Sequence, residues 1–346
     1  MKKRHLLVVL FALLGWTQAR ADVEINETNF PDANFRSYLL SEDYGSDGVI
    51  TDAEIAEITY IGVDKKNIAN LKGIEFFTAL TTLYSSNNQL TALDVSGCTA
   101  LTSLYCYRNQ LTTLDVSKNT ALTDLHCSRN QLTALDVSKN TALTYLDCAN
   151  NPLTALDVSK NTALTYLDCY NNQLTSLDVS KNTALTELDC YNNQLTTLDV
   201  SKNTALTNLS CYNNKLTALD VSKNTALTLL DCCQNQIKGA AMDVLVSSLR
   251  TQSDAFLIVI YNENEGNVMT TTQVAAAKTK GWTPYYYDGT DWEEYAGSDP
   301  TAIESIESDA SASKNGSDVY FDLSGRRVMA PQKGVYVKNG KKVVVK

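Results

Sequence analysis

Residues 164–184 read LTYLDCYNNQLTSLDVSKNTA, and this 21-residue unit, with a few substitutions, fills the chain from Leu80 to Ala226. Seven copies begin at Leu80, Leu101, Leu122, Leu143, Leu164, Leu185 and Leu206 without insertion or deletion, and an eighth starts at Leu227. A fixed period of this length marks a solenoid: one unit has too small an apolar wedge to bury alone and gains a core only by stacking. Within the unit, TYLDC alternates outward and inward residues with period two, as a strand does. In the copy that starts at Leu143, the core side chains are Leu143, Leu146, Cys148 and Leu153, and the return arm adds Leu156 and Val158.

Two polar residues recur in the same register. An Asn follows every strand, from Asn88 through Asn151 to Asn235. Its amide carries donors and an acceptor, and can satisfy backbone groups that the bend strips of partners. Asp157 and its repeats would form a like-charge column if they merely lay on the surface. DVS reads better as an Asx turn, the carboxylate accepting the N–H two residues on, with the Lys of SKN offsetting the charge.

Each unit from Leu101 on fits L-x-x-L-x-C-x-x-N-x-L, the first having Ser85 at the Cys position, and on those residues the chain resembles the leucine-rich-repeat family, in particular the short repeats of bacterial internalin-like surface proteins. The resemblance implies an α/β-type solenoid dominated by β, a right-handed coil with a parallel sheet on its concave face. The solenoid is expected over residues 58–237, with a small helical cap over 22–57 and a β–α–β cap over 238–297. In that geometry Cys106, Cys127, Cys148, Cys169, Cys190, Cys211 and Cys232 point inward. Strands about 4.8 Å apart put them within disulfide reach, but parallel Cβ vectors oppose the required dihedral. A ladder of buried free thiols is therefore expected. Cys233 falls on the next, outward position and is the candidate reactive or intermolecular thiol of a chain otherwise expected to be monomeric. Cys98 stands where later repeats have Asn. Of the aromatics in the rear cap, Trp282, Tyr285, Tyr286, Tyr287 and Trp292 are read as covering the core.

The front cap contains DYGSDGVITDAE, which resembles an EF-hand calcium loop. Asp43, Asp47 and Glu54 fall at loop positions one, five and twelve, Gly48 at six, and Val49 would offer a carbonyl. Thr51 completes the candidate metal set. Gly45 at position three brings no side-chain oxygen, so a metal-free acidic turn stays open beside Ca2+; the reading requires no other cofactor.

Residues 1–21 read as a signal peptide: a basic start at Lys2, Lys3 and Arg4, an apolar run from Leu6 to Trp16, and Ala19-Arg20-Ala21 for cleavage. The run is short of the roughly 20 residues of a spanning helix. Removing this segment takes four basic and no acidic residues, so the formal charge goes from −10 to −14. Such a chain repels phosphate backbones, which argues against nucleic acid, and no later segment suits an integral membrane protein. Residues 298–316, rich in Ser, Ala, Asp and Glu, read as a linker. Residues 317–346 resemble the C-terminal sorting domain of type IX secretion substrates, carried by Gly325, Gly334, Tyr336, Gly340, Lys341 and Lys342. That implies export to the medium or the outer surface of a Gram-negative cell.

Function is to be sought in the outward positions. They gather Tyr84, Tyr105, Tyr107, Tyr145, Tyr166, Tyr170, Tyr191 and Tyr212, with Asp147, Asp168 and Asp189 between them. Arg108 and Arg129 add positive charge near the N-terminal end. Eight strands make a face roughly 35 Å across, and Tyr gives contact area at low entropic cost. The expected role is binding a macromolecule, foremost a protein on a host or neighbouring cell, in an adhesin-like manner. A glycan is the alternative, and a structural surface component the third. Enzymatic activity is not expected: beyond residue 21 the chain has one His, His126, and no H-E-x-x-H, G-x-S-x-G or phosphate-cradling Gly loop.

Overall fold

The computed structural model describes residues 22–261, 265–287 and 290–298, together with strand residues 320–321, 327–328, 334–338 and 341–345. Alternation builds its sheet. In Tyr145–Asp147, Leu146 is fully buried between two outward side chains, and the same pattern recurs coil after coil. The chain opens with β1 (Val23–Glu24), α1 (Ala33–Ser41), β2 (Val49–Ile50), α2 (Asp52–Glu57) and β3 (Tyr60–Gly62). The repeats then supply β4 (Thr82–Tyr84), β5 (Ser103–Tyr105), β6 (Asp124–His126), β7 (Tyr145–Asp147), β8 (Tyr166–Asp168), β9 (Glu187–Asp189), β10 (Asn208–Ser210) and β11 (Leu229–Asp231). After them come α3 (Ala240–Ser248), β12 (Ala255–Ile260), α4 (Thr271–Thr279), β13 (Trp282–Tyr287) and β14 (Trp292–Glu294).

Strands β3 to β14 form one twelve-stranded sheet in sequence order. Every pairing is parallel except β13 with β14. From β4 to β11 the register equals the repeat, so Leu104, Leu125, Leu146, Leu167 and Leu188 line one row. The ladder runs on past the strands, where Cys148 N donates to Asp168 O at 2.9 Å and Asn150 N to Tyr170 O at 2.9 Å. This is a leucine-rich-repeat solenoid, as the repeat predicts.

Two columns of Asn hold the coils together. Asn172 accepts from Leu153 N (3.0 Å) and donates to Cys148 O (3.2 Å) and Cys169 O (3.0 Å), bridging two coils at the bend. The second column was not foreseen. The Asn of each SKN is buried: Asn161 donates to Val137 O (3.0 Å) and Asn140 O (2.8 Å) on the far side of the coil. Cys98 heads this column, its Sγ donating to Ile74 O at 3.2 Å.

The caps close the raw ends of the core. Asp32 Oδ1 starts α1 by accepting from Asn34 N and Phe35 N, while its Oδ2 accepts from Ala69 N and Asn70 N of the first coil. Phe30 and Phe35 meet edge to face and sit buried against that end. At the other end Trp282 is buried, its Nε1 donating to Arg250 O. The other aromatics expected to cover core do less of it: Tyr285, Tyr286 and Tyr287 are half-buried and Trp292 is exposed, because β13 and β14 extend the sheet edge. The last strands, β15 (Tyr320–Phe321), β16 (Arg327–Val328), β17 (Gly334–Lys338) and β18 (Lys341–Val345), form a separate four-stranded antiparallel sheet. Gly334 and Tyr336 lie on β17 and Lys341 and Lys342 on β18; Gly325 and Gly340 lie outside the described residues, as do the signal segment and nearly all of the linker.

Candidate functional site on the concave sheet

The outward side chains fall into three rows that run along the solenoid. Tyr145 and Tyr166 stand in the first row, Tyr105, His126, Asp147, Asp168 and Asp189 in the middle row, and Tyr107, Tyr170, Tyr191 and Tyr212 just past the strand ends. Parallel strands in register bring identical neighbours to ring-stacking distance. Tyr84, Tyr105, His126, Tyr145 and Tyr166 form a continuous stack with centroids 4.3 to 4.4 Å apart. It crosses diagonally from the middle row to the first between His126 and Tyr145. Tyr170, Tyr191 and Tyr212 form a second stack, each step 4.3 Å. Tyr107 is left apart, because the next two residues in its row are Ser128 and Ala149. Burial lifts the hydroxyls of Tyr105 and Tyr212 to about 12, and those of Tyr145, Tyr166 and Tyr191 upward as well, so the rows present neutral O–H groups.

Between the stacks runs a line of carboxylates. Asp168 is only 9% exposed, and its Oδ1 has no hydrogen-bond partner among the described residues. Desolvation, then the charges of Asp147 and Asp189, push it up to about 8. Asp189 rises to about 6 and Asp231 to about 7, both chiefly by desolvation. Asp147 is raised too, moderated by Ser128 Oγ, which donates to its Oδ2 at 2.6 Å. Equal spacing therefore does not give equal acids, since what flanks each one differs. His126, held between two rings, is pulled below its usual value by burial and is neutral at pH 7.

Two sequence expectations fare differently. Cys233 is not an accessible thiol: it is 1% exposed, and its N–H donates to Asp231 Oδ1. The segment that follows β12 covers the last coil, where Asn267 donates to Cys232 O and Glu265 raises the Cys233 thiol further. All nine cysteines are free and buried, and burial pushes the ladder thiols well above their usual range.

The residues of the calcium-type loop are engaged locally. Glu54 Oε2 accepts from Thr51 N and Oγ1 in a capping box at the start of α2. Asp47 Oδ1 accepts from Val49 N, Asp43 opens a short 3-10 turn, and Val49 lies on β2. Gly48 takes φ +89°, the conformation its loop position demands. Among the described residues no group of three His, Cys, Asp or Glu side chains is placed to hold a metal ion.

The family profile described as leucine-rich repeats (2 copies) matches residues 162–203. Among solved structures, the chain is similar to the functional domain of InlJ from Listeria monocytogenes, described as including a cysteine ladder. Identity is 35% and the TM-score 0.58, over 78% of this chain and 62% of that one, so this chain spans less than two thirds of it. Internalin InlF of the same species (22% identity, 79% of this chain and 93% of that one, TM-score 0.50) shares the fold. A leucine-rich-repeat protein of Leptospira interrogans does so too (24% identity, 60% and 57%, TM-score 0.51). No curated protein sequence matches. The chain thus has a leucine-rich-repeat fold. Its solenoid is similar to those of the internalins, and its own row of buried cysteines stands beside the cysteine ladder named for the InlJ domain. Among the described residues no helix is long and apolar enough to cross a membrane.

Proposed function

We propose that this chain is an exported, adhesin-like binding protein whose concave face engages a protein on a host or neighbouring cell. The observation that carries this reading is how the tyrosines are stacked. At 4.3 Å each ring covers the face of the next. A sugar would need open faces to lie on, whereas within the stacks the rings offer edges and hydroxyl donors, the contacts that protein interfaces exploit. The acidic line between the rows adds polar acceptors. Passage out of the cell follows from the signal-type start and the sorting-type end.

The test is binding of the chain from Asp22 onward to protein and glycan arrays at low and high salt, with Tyr170→Ala and Tyr191→Ala in parallel. Saturable protein binding that weakens with salt and is lost in the variants is the expected result. Salt-insensitive sugar binding would replace the reading with the glycan one. Protein binding that survives both substitutions would move the site off this face.

A further inference from the structure

The residue that turns the chain after each strand is left-handed in every coil, with φ between 48° and 56° from Lys65 and Asn87 through Gln234. Asn tolerates that backbone better than other non-Gly residues, and Asn150, Asn171, Asn192 and Asn213 occupy it in four successive coils. Their amides form a chain: Asn213 donates to Asn192 (2.7 Å), Asn192 to Asn171 (2.5 Å) and Asn171 to Asn150 (2.8 Å). At the N-terminal end the same position holds Lys65, Arg108 and Arg129. Long basic side chains gain nothing from this backbone, and a disfavoured residue kept at a repeated position points to use. The amide chain stops there as well. Asn150 Nδ2, the donor that would continue it, faces an arginine position with no acceptor, and it is buried without a partner among the described residues.

The three cations border one cavity of about 460 Å³, walled by Tyr107 and Tyr170. The cavity exists because Ser128 and Ala149 interrupt the tyrosine row; this leaves a gap of three strand spacings, ~14 Å, and frees one face of Tyr170. Asp147, its acid, is turned to Ser128 Oγ and Ala149 N. The ion pairs among the described residues are Arg36 with Glu27 and Lys278 with Glu294, so none of these three cations is paired at close range. In a chain of net charge −10, three cations on one notch, none of them in a salt bridge among the described residues, stand out.

We infer that this notch is a carboxylate-recognition pocket for an acidic peptide segment of the protein partner. The inference rests on the protein-binding reading above and adds to it the partner's chemistry and its orientation. From Lys65 to Arg129 the cations span three strand spacings, ~14 Å, which is the length of about four residues of extended chain. Two or three carboxylates on one strand reach all of them, whereas a single sugar acid does not. Arg forks bind carboxylates in a bidentate manner, and the acidic end of the segment is thereby fixed at the N-terminal end of the face.

The experiment is calorimetric titration of the chain with hexaglutamate, hexaglutamine, glucuronate and sulfate, repeated on the double variant Arg108→Asn/Arg129→Asn. That variant installs the residue the neighbouring coils already carry, so the turn backbone is not strained. The expected result is saturable hexaglutamate binding, no hexaglutamine binding, and roughly tenfold weakening in the variant and at high salt. Absence of saturable hexaglutamate binding, or equal binding by the variant, overturns the inference. Glucuronate or sulfate binding as tightly as hexaglutamate also overturns it, in favour of a small-anion site. A chain that captures a protein through its tyrosine rows but ignores hexaglutamate refutes the pocket alone; one that takes hexaglutamate but captures no protein refutes the broader reading alone.

Discussion

Asp157 on the return arm and Asp168 on the sheet both repeat at the 21-residue period, yet their carboxyls shift in opposite directions. Asp157 is exposed and accepts from Ser159 N at 2.8 Å, and the backbone and hydroxyl donors of Ser159 draw its pKa down. Asp115, Asp136, Asp178 and Asp199 behave alike. Asp168 lies between two ring stacks, stripped of water and beside two more acids, and is driven up to about 8. Sequence period places a residue, while its neighbours decide its chemistry. The return-arm row serves the turn. The sheet row, with its carboxyls raised by desolvation, opposes folding at neutral pH.

The comparison assumes that both rows ride on the same rigid coils, and the largest predicted effect comes from breaking that shared frame. Asn172→Ala would orphan Leu153 N and strip one of the two donors from each of the carbonyls of Cys148, Cys169 and Tyr170, which keep Asn151 Nδ2, Asn193 Nδ2 and Asn150 N. The orphaned N–H costs about 1–3 kcal/mol and each of the three other lost bonds about 0.5–1.5 kcal/mol, and backbone relaxation recovers some of it, so a loss of about 4 kcal/mol is expected. Urea unfolding followed by circular dichroism would measure it. An unchanged midpoint would mean that the Asn column does not couple the coils.

Next in size is Asp168→Asn, which keeps the shape and removes the charge. In the unfolded chain this carboxyl ionises near 3.8, and in the folded chain at about 8. Between those values the unfolded state gives up a proton that the folded state retains, so stability falls as pH rises from 4 to 8. One pKa unit is worth about 1.4 kcal/mol. With Asp147 and Asp189 relaxing as their neighbour is neutralised, the substitution should stabilise by about 3 kcal/mol at pH 8 and by almost nothing at pH 4. Urea midpoints at the two pH values check this, and a flat difference would show that Asp168 is not desolvated.

How much of this was legible in the sequence depended on whether the signal was periodic. The coil, the strand register, the inward Cys row, the first Asn column and the Asx turns all repeat at 21 residues and follow from alternation and donor counting. The second Asn column repeats as well, but Asn161 sits between Lys160 and Thr162, where a solvated loop is the natural reading. The outward reading of Cys233 fails because its repeat position is half-exposed only where it carries Tyr; small residues there, Ser86, Ser128 and Ala149, are buried as Cys233 is. The notch at Arg108 and Arg129 was visible only as charge. Its shape depends on Ser128 and Ala149 interrupting a tyrosine row, which emerges once the rows are laid side by side.

The smallest expected effect is the same substitution in the other row, Asp157→Asn. Asn also closes an Asx turn, so the hydrogen bond to Ser159 N survives and only its charge is lost. The folded-state pKa of Asp157 is depressed, so its contribution is fully present above the unfolded value near 3.8 and is lost as pH falls through the lower folded value. The variant should therefore be slightly less stable than the parent by a constant amount from pH 5 to 8, with the difference vanishing in strong acid. Asp168→Asn should do the reverse: a gain in stability, growing steeply over that range. Urea midpoints across pH 3 to 8 for both variants put the two rows on one plot. Parallel curves of the same sign would mean that the aromatic stacks do not set the sheet acids apart, and the concave face would lose its distinction from the convex one.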